Sequence, residues 1–551
     1  MTISKETIDI IKQETGLTLT LTKDEKTKKE FNELCKLIRR KLSYSDIDEE
    51  MGAYQLWSKS DKEYKERLFS AANDRVVKQE EEKERKKREA QESIEMLGTA
   101  KNFDTLKEQV HLFLLAKDKE RARDLIVNFL IDTEYITTER EDNDSVMYIY
   151  RDGIYIPHAR TYIRELVEKV SGAGYTKNLS NEVISRIEAR TYVDSEKLYE
   201  VQNPFEVAVQ NGILDLKTQG LLPFSPEKFF FSKLPVVYHS GKDCLEIKNF
   251  IKQIFFDEEA EFIIQELFGY LIVRNYFVPK AFLFTGIGRN GKSTLLSIME
   301  HYLGKENVSN VPLQVIEKGE YAESELHLKF ANIAADLPTE TMVNTGKFKE
   351  LTGGDSISAN RKFRSRLKFT SYAKLIFAAN QIPSSKDQSD GFFSRWIILD
   401  CPNKFYTVEE IAAMAEHEKT NVKVADRQLL SKLTSPEELS GLLNWGLVGL
   451  KRLMANGNFT YSKTTNKLKE IYLIKSNSLA AFKEAHCSTT DVSSTTPKED
   501  FRNAYHHFCK QNYVSPRTDK AISKFMSNLG VDDWKSGATR YWQGIKVDYV
   551  F

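Results

Sequence analysis

The stretch Ala281–Thr294, AFLFTGIGRNGKST, decides the fold class of this chain. Ala281, Phe282, Leu283 and Phe284 form a short apolar run rich in aromatics, which predicts a buried strand. Gly286, Ile287, Gly288, Arg289, Asn290, Gly291, Lys292 and Ser293 then fit G-x-x-x-x-G-K-[ST] at every required position. After Thr294, LLSIMEHYLG carries the apolar spacing of a helix that ends at Gly304. Glycines let the backbone wrap closely around phosphates, and the loop amides and helix N-terminus point at the anion. Lys292 is expected to reach the β- and γ-phosphates, and the Ser293 hydroxyl to ligate Mg2+. Strand, loop and helix together predict an α/β protein that binds a nucleoside triphosphate, with Gly286–Thr294 as its cradle.

Working outward, 551 residues are too many for one ordinary domain and suggest three or four. Hydrophobic content of 41% supports real cores, while 80 basic and 80 acidic residues leave no global charge that favours nucleic acid. Any such argument must come from local patches. No apolar run reaches the length of a membrane span, and MTISKETIDIIKQ has no signal-peptide core. Cys35, Cys244, Cys401, Cys487 and Cys509 are scattered without a C-x-x-C pair, which fits a reducing cytoplasm and argues against a zinc ribbon. His486, Cys487, His506, His507 and Cys509 lie close in sequence but match no standard ligand spacing, so a packed helix is the preferred reading.

Residues 1–100 read as a polar, mostly helical region whose run Glu80–Glu89 is a solvated helix or linker. An α+β domain is expected over 105–245. In it, YIYRDGIYI forms a hairpin turning at Asp152-Gly153, Asn211-Gly212 makes a second turn, and Leu234–Tyr238 gives a strand. Two helices, EIKNFIKQIF and AEFIIQELFGYLIV, lead into the nucleotide-binding strand.

Beyond the loop, the apolar strand starting at Phe330 ends at Asp336, 44 residues after Lys292. A carboxylate there suits the holding of Mg2+ and the polarising of water. A third strand, Ala373–Asn380, ends in an amide placed to orient water and sense the γ-phosphate. Between them, five of the eight residues from Arg361 to Lys368 are basic. Arg361, Lys362, Phe363, Arg364 and Arg366 interleave cations with an aromatic, a pattern suited to phosphates and base stacking. Arg395, 15 residues after Asn380, precedes the strand WIILDCP and is placed to act as an arginine finger on a neighbouring subunit.

These motifs in combination, NIAADLP, FKELTGGDSISANRKFR, YAKLIFAANQIP and GFFSRWIIL, resemble a superfamily 3 helicase. More narrowly they resemble the helicase portion of the phage- and plasmid-type primase-helicases, a group that includes the poxvirus enzyme. Upstream, YIYRDGIYI, NPFEVAVQNGILDL and FSPEKFFFSKLPVVYH resemble the domain preceding the ATPase in that group. The resemblance implies an AAA+ P-loop ATPase core over 246–455 that assembles into a ring, usually a hexamer. It implies movement on single-stranded DNA, generally 3′ to 5′, with forked and origin DNA as further partners. On this chain it assigns ATP and Mg2+ to Lys292 and Ser293, the motif B acid to Asp336, the sensor to Asn380 and the finger in trans to Arg395. Two departures stand out. Ala335 replaces the second acid common in motif B, leaving Glu340 as a candidate base, and the primase module of longer relatives has no counterpart here, so no primer synthesis is expected.

Over 460–551, two helices followed by a β-ribbon give the parts of a winged helix, the order that closes the family's relatives. Lys520 and Lys524 on its second helix, with Lys535 and Arg540 on the wing, are expected to contact DNA. Two other readings compete: a DNA-binding initiator that uses ATP only to assemble, and a small-molecule phosphotransferase. The second leaves the basic run without a purpose.

Overall fold

The computed structural model describes residues 25–548, apart from 53–57, 59–60, 95–99, 101, 142–144, 256, 287, 319–320, 336, 338–341, 362–363, 381, 417–418, 420, 490–492, 513 and 538. It divides into two compact units, Met1–Glu134 with Arg160–Arg190, and Tyr135–Ala159 with Thr191–Phe551. The 105–245 segment expected as one α+β domain therefore supplies elements to both units.

The first unit is helical: α1 (Glu25–Arg39), α2 (Tyr44–Met51), α3 (Lys62–Ile94), α4 (Phe103–Leu115), α5 (Lys119–Thr133), α6 (Ala159–Ser171) and α7 (Lys177–Thr191). Apolar residues recur at helical spacing, so α4 buries Leu106, Val110 and Phe113 while α5 buries Ala122, Ile126 and Leu130. Glu80–Lys86 of α3 are exposed, with Lys86 paired to Glu82 at 2.7 Å.

The second unit starts with the sheet β3-β2-β1-β4, built from β1 (Ile136–Glu139), β2 (Met147–Arg151), β3 (Ile154–Pro157) and β4 (Tyr192–Val193). Asp152 and Gly153 both take positive φ between β2 and β3, the geometry of a two-residue hairpin turn. A second sheet follows, β5 (Glu206–Val209), β6 (Gly212–Asp215) and β7 (Leu221–Leu222). The strand expected at Leu234–Tyr238 does not form. Pro235 has no N–H to offer a ladder. Beside the bridge between Ala208 and Lys233, the Leu234 amide donates to the Ala208 carbonyl and the Val236 carbonyl accepts the Gln210 amide, each at 2.9 Å, without a regular strand.

Helices α8 (Leu245–Ile254) and α9 (Glu258–Leu271) then lead to β8 (Ala281–Thr285) and α10 (Lys292–Leu303). The central sheet adds β9 (Val308–Ser309) and β10 (Ala331–Ala334). After the hairpin β11 (Ser356–Arg361) and β12 (Arg364–Thr370) come β13 (Lys374–Ala379) and β14 (Trp396–Asp400). Its order is β14-β8-β13-β10-β9, all parallel. Both faces are covered, which is why β8, β10 and β13 are buried along their whole length rather than alternating with polar residues. Phe282, Phe284, Ile376 and Ile397 face one core, and Ala281, Leu283, Phe377 and Trp396 face the other.

A small cap, β15 (Lys404–Tyr406) paired with β16 (Val422–Val424), precedes α11 (Pro436–Asn456). α11 lies against α9 at backbone contact: a Cβ on Gly269 would sit 2.2 Å from the Gly446 carbonyl oxygen. Arg452 on α11 locks the crossing by donating to the buried Glu266 carboxylate at 2.7 Å. The chain closes with α12 (Thr465–Ser476), α13 (Ser478–His486), β17 (Cys487–Ser488), β18 (Thr495–Pro497), α14 (Lys498–Gln511), α15 (Asp519–Asn528), β19 (Asp532–Ser536), β20 (Thr539–Gln543) and β21 (Lys546–Val547). Here β18-β20-β19 form an antiparallel sheet over a separate core that includes Phe482, Phe501, Tyr505 and Trp542. His486 packs on Phe482 and Phe508, and Cys509 is buried in the same core. Among the described residues no helix is long and apolar enough to cross a membrane.

Candidate nucleotide site and its opposite edge

Parallel strands deliver their C-terminal ends to one edge of the sheet, and β8 opens there into the glycine loop. Gly286, Gly288 and Gly291 all have positive φ, and Gly291 caps α10 from the left-handed region. A Cβ on Gly286 would lie 1.8 Å from Asn290 Nδ2, so the loop closes only because that position is bare.

Lys292 opens α10 with its side chain turned back under the loop, and the residue is 7% exposed. Its Nζ donates to the Gly286 carbonyl at 2.8 Å, to Asn290 Oδ1 at 3.0 Å and to Asn380 Oδ1 at 3.0 Å. The ammonium is thus held among oxygens at hydrogen-bonding distance, the environment that phosphate oxygens would also supply. Asn380 arrives at the end of β13, the strand paired with β8, so two residues 88 apart in sequence meet through sheet register. Asn290 Nδ2 donates to the buried Cys401 carbonyl at 3.0 Å, tying the loop to the end of β14. Burial pushes the Cys401 thiol up to about 12, so it is an inert packing group. Ser293 is exposed, with its hydroxyl available to a cation, and Thr294 is half-buried beside it. These residues fit a triphosphate and its Mg2+.

Around the loop lies a cleft of ≈ 630 Å³, whose lining also includes Phe250, Phe405, Thr407, Leu429 and Leu430. Its size and mixed lining suit a nucleotide. The crown of the loop is pinned to the cap: Phe405 N donates to the Arg289 carbonyl at 2.7 Å. The Arg289 guanidinium pairs with Glu410 at 2.7 Å over the Tyr406 ring. Sequence reasoning missed Phe405, Leu429 and Leu430 because isolated Phe and Leu in a polar insert carry no motif.

At the base of the loop, Thr285 donates to Asp400 at the end of β14, and Asp400 accepts Lys475 Nζ at 2.6 Å. Lys475, on α12, is 5% exposed at its side chain and also donates to the Asn512 carbonyl at 3.3 Å. The C-terminal module is thereby bonded to the residue preceding Gly286. Nothing in the sequence marked Lys475, which lies 183 residues beyond Lys292.

The sheet's N-terminal edge is different. Arg395 precedes β14, and its carbonyl accepts the Ala281 amide at 2.7 Å. It therefore sits about 16 Å, the length of five strand residues, from the glycine loop. Its guanidinium donates to the Gly391 carbonyl, and its buried Nε has no hydrogen-bond partner. Lys280 donates to the Ser394 carbonyl at 2.6 Å; burial, and then the neighbouring Arg395, hold its amine below the usual lysine range. Among the described residues neither cation is ion-paired.

The hairpin β11–β12 leaves from this same edge. Ile357 and Ala359 face inward, and Ser358, Arg366 and Lys368 are exposed. Arg361 does not join the exposed cations as expected. It continues the inward face of β11 and pairs with Glu141 at 2.5 Å and with Glu139 at 4.0 Å. Burial raises the Glu139 pKa against the pull of Arg361. Period-two alternation from Ile357 through Ala359 to Arg361 was the available signal. Nearby, the His327 ring packs between Tyr199 and Phe369, and burial lowers its pKa to about 3.

Asp336, two residues beyond β10, lies outside the described residues, as do Ile287, Glu340, Lys362, Phe363 and the side chain of Arg364. In the C-terminal module Lys520 and Lys524 are exposed one turn apart on α15, and Lys535 stands opposite Arg540 across the ribbon.

Residues 135–256 match the family described as D5 N terminal like, and residues 284–395 match a family of unknown function, DUF5906. The chain is 24% identical over 388 residues to "Putative helicase 121R" of Invertebrate iridescent virus 3, covering 60% of this chain and 40% of that protein. It is also 24% identical over 316 residues to "Putative helicase 184R" of Invertebrate iridescent virus 6, covering 51% and 32%. The chain thus spans less than half the length of these relatives. Among solved structures, the apo NrS-1 C terminal region aligns at a TM-score of 0.38 and 12% identity, covering 76% of this chain and 98% of that one. The JCV helicase aligns at 0.26 and 10%, covering 68% and 98%.

Proposed function

We propose that this chain is an ATP-dependent DNA helicase of the superfamily 3 type, with an AAA+ core, a winged-helix C-terminal module and a ring as its working form. The observation that carries the reading is the contact of Lys292 with Asn380 at one edge of a sheet ordered β14-β8-β13-β10-β9, with Arg395 at the other. A loop lysine bonded to the adjacent strand's terminal amide is the arrangement by which a γ-phosphate can be held and sensed. Similarity to viral proteins named as helicases, and to the D5 N terminal like family, supports the same reading.

Lys292 and the loop amides bind the triphosphate, and Ser293 and Asp336 hold Mg2+, which supplies charge neutralisation at the phosphates. Arg395 of one subunit serves the site of the next. Lys362, Phe363, Arg364 and Arg366 grip single-stranded DNA from the hairpin, while Arg361 anchors it. Lys520, Lys524, Lys535 and Arg540 contact DNA. The expected movement is 3′ to 5′ in a hexamer, in service of replication, with origin recognition as a further role in the cytoplasm.

The test is ATP hydrolysis with and without single-stranded DNA, run beside strand separation on a forked duplex. Hydrolysis stimulated by DNA and accompanied by unwinding supports the proposal. Hydrolysis indifferent to DNA would sink it, and DNA binding without unwinding would favour an assembly factor.

A further inference from the structure

The C-terminal sheet β18-β20-β19 has two unlike faces. Trp542 stands opposite Asp533 and Thr496 and is buried, with Lys498 Nζ 3.8 Å from its ring centroid and paired to Asp533 at 2.6 Å. One residue along each strand the direction reverses. Trp534, Tyr541 and Pro497 therefore lie side by side across three strands on the outward face. Trp534 is 44% exposed, and its ring centroid is 5.2 Å from that of Tyr541.

At the tip of the ribbon, one residue beyond Trp534 and Tyr541 and so based on the Trp542 face, Lys535 and Arg540 are opposite one another and exposed. They flank the outward row only around the end of the ribbon, and neither is ion-paired among the described residues. Asp532 lies inward of Trp534 on the outward face, so phosphate is repelled from that end and drawn toward the tip. An exposed indole tilted against a second aromatic, with unpaired cations at the neighbouring ribbon tip, is a combination that takes a nucleobase and the phosphate beside it. A protein partner would instead favour a patch depleted of lysine.

We propose that Trp534 is a stacking platform for an unpaired nucleic-acid base, with Lys535 and Arg540 holding the adjoining phosphates. The inference rests on the nucleic-acid part of the proposed function but not on ATP hydrolysis.

Anisotropy of a labelled oligothymidylate of about 20 nucleotides, and of a blunt duplex of similar length, tests it with the full chain and no nucleotide. Trp534→Ala is expected to weaken the single strand roughly tenfold and leave the duplex nearly unchanged, while Trp534→Phe retains most of the affinity. Lys535→Ala with Arg540→Ala should flatten the salt dependence, which Trp534→Ala leaves alone. Unchanged single-strand affinity in Trp534→Ala overturns the inference, as does a change in sedimentation without a change in binding, which would mark a contact between copies. If the native chain binds and unwinds while Trp534→Ala matches it, only this inference falls. If the native chain binds no single strand, the proposed function falls with it.

Discussion

The two edges of the central sheet have opposite characters. At the C-terminal edge the key cation, Lys292, is enclosed by oxygens of its own chain. At the N-terminal edge, Lys280 and Arg395 lie together with carbonyls as their hydrogen-bond partners among the described residues, and the basic hairpin leaves from the same edge. A single copy keeps these edges about 16 Å apart, too far for Arg395 to touch its own loop. In the proposed ring, one copy's cationic edge faces the next copy's loop. One site would then be assembled from two incomplete halves.

The sharpest way to break that comparison is Arg395→Ala. Turnover is expected to fall by about 1000-fold or more, with nucleotide binding retained. Adding Lys292→Ala subunits, which keep Arg395, should restore part of the activity when hydrolysis is followed against mixing ratio. Absence of any rescue would remove the reason for assigning the two edges to one site. Lys292→Ala alone is expected to lower turnover by about 100-fold or more and to abolish retention of a fluorescent ATP analogue.

The hairpin sharpens the comparison next. Arg361→Gln leaves Glu139 and Glu141 buried without their cation and should cost about 3 kcal/mol in a denaturant titration. Arg366→Gln, on the exposed face, should weaken single-stranded DNA with little change in stability. Equal losses of stability in both variants would contradict the inward and outward assignment. At the C-terminal edge, Lys475→Met strands a half-exposed Asp400 and should lower stability by about 2 kcal/mol. It should also raise the KM for ATP through Thr285, while Lys475→Arg recovers most of both.

The smallest effect is at His327. Its folded pKa of about 3 lies below the ordinary 6.5, so its neutral form contributes stability that is complete above 6.5 and lost as pH falls toward 3. His327→Phe should therefore lose less melting temperature than the native chain between about pH 7 and pH 5. Parallel pH profiles would exclude His327 as a contributor.

Much of the first edge could be read directly. The loop needs glycines at positions of positive φ, a lysine at the first helical residue and apolar strands buried on both faces, and all of these are local properties of the chain. The Asp152-Gly153 hairpin and the helix ending at Gly304 were legible for the same reason. Leu234–Tyr238 misled because apolar residues flanking a proline can pack into a core without forming a ladder. Arg361 misled because a basic run was read by composition, when alternation decides which of its cations reaches water.

By itself the sequence determined the glycine loop between β8 and α10, the apolar strands around it and the presence of a basic hairpin, since each is fixed within a few residues by backbone conformation or period. Tertiary structure alone decided that Asn380 meets Lys292, that Lys475 reaches Asp400 and that Arg361 is held by two glutamates. Those contacts join residues far apart in the chain. Strand register and the packing of whole elements, which no local pattern records, bring them within hydrogen-bonding distance.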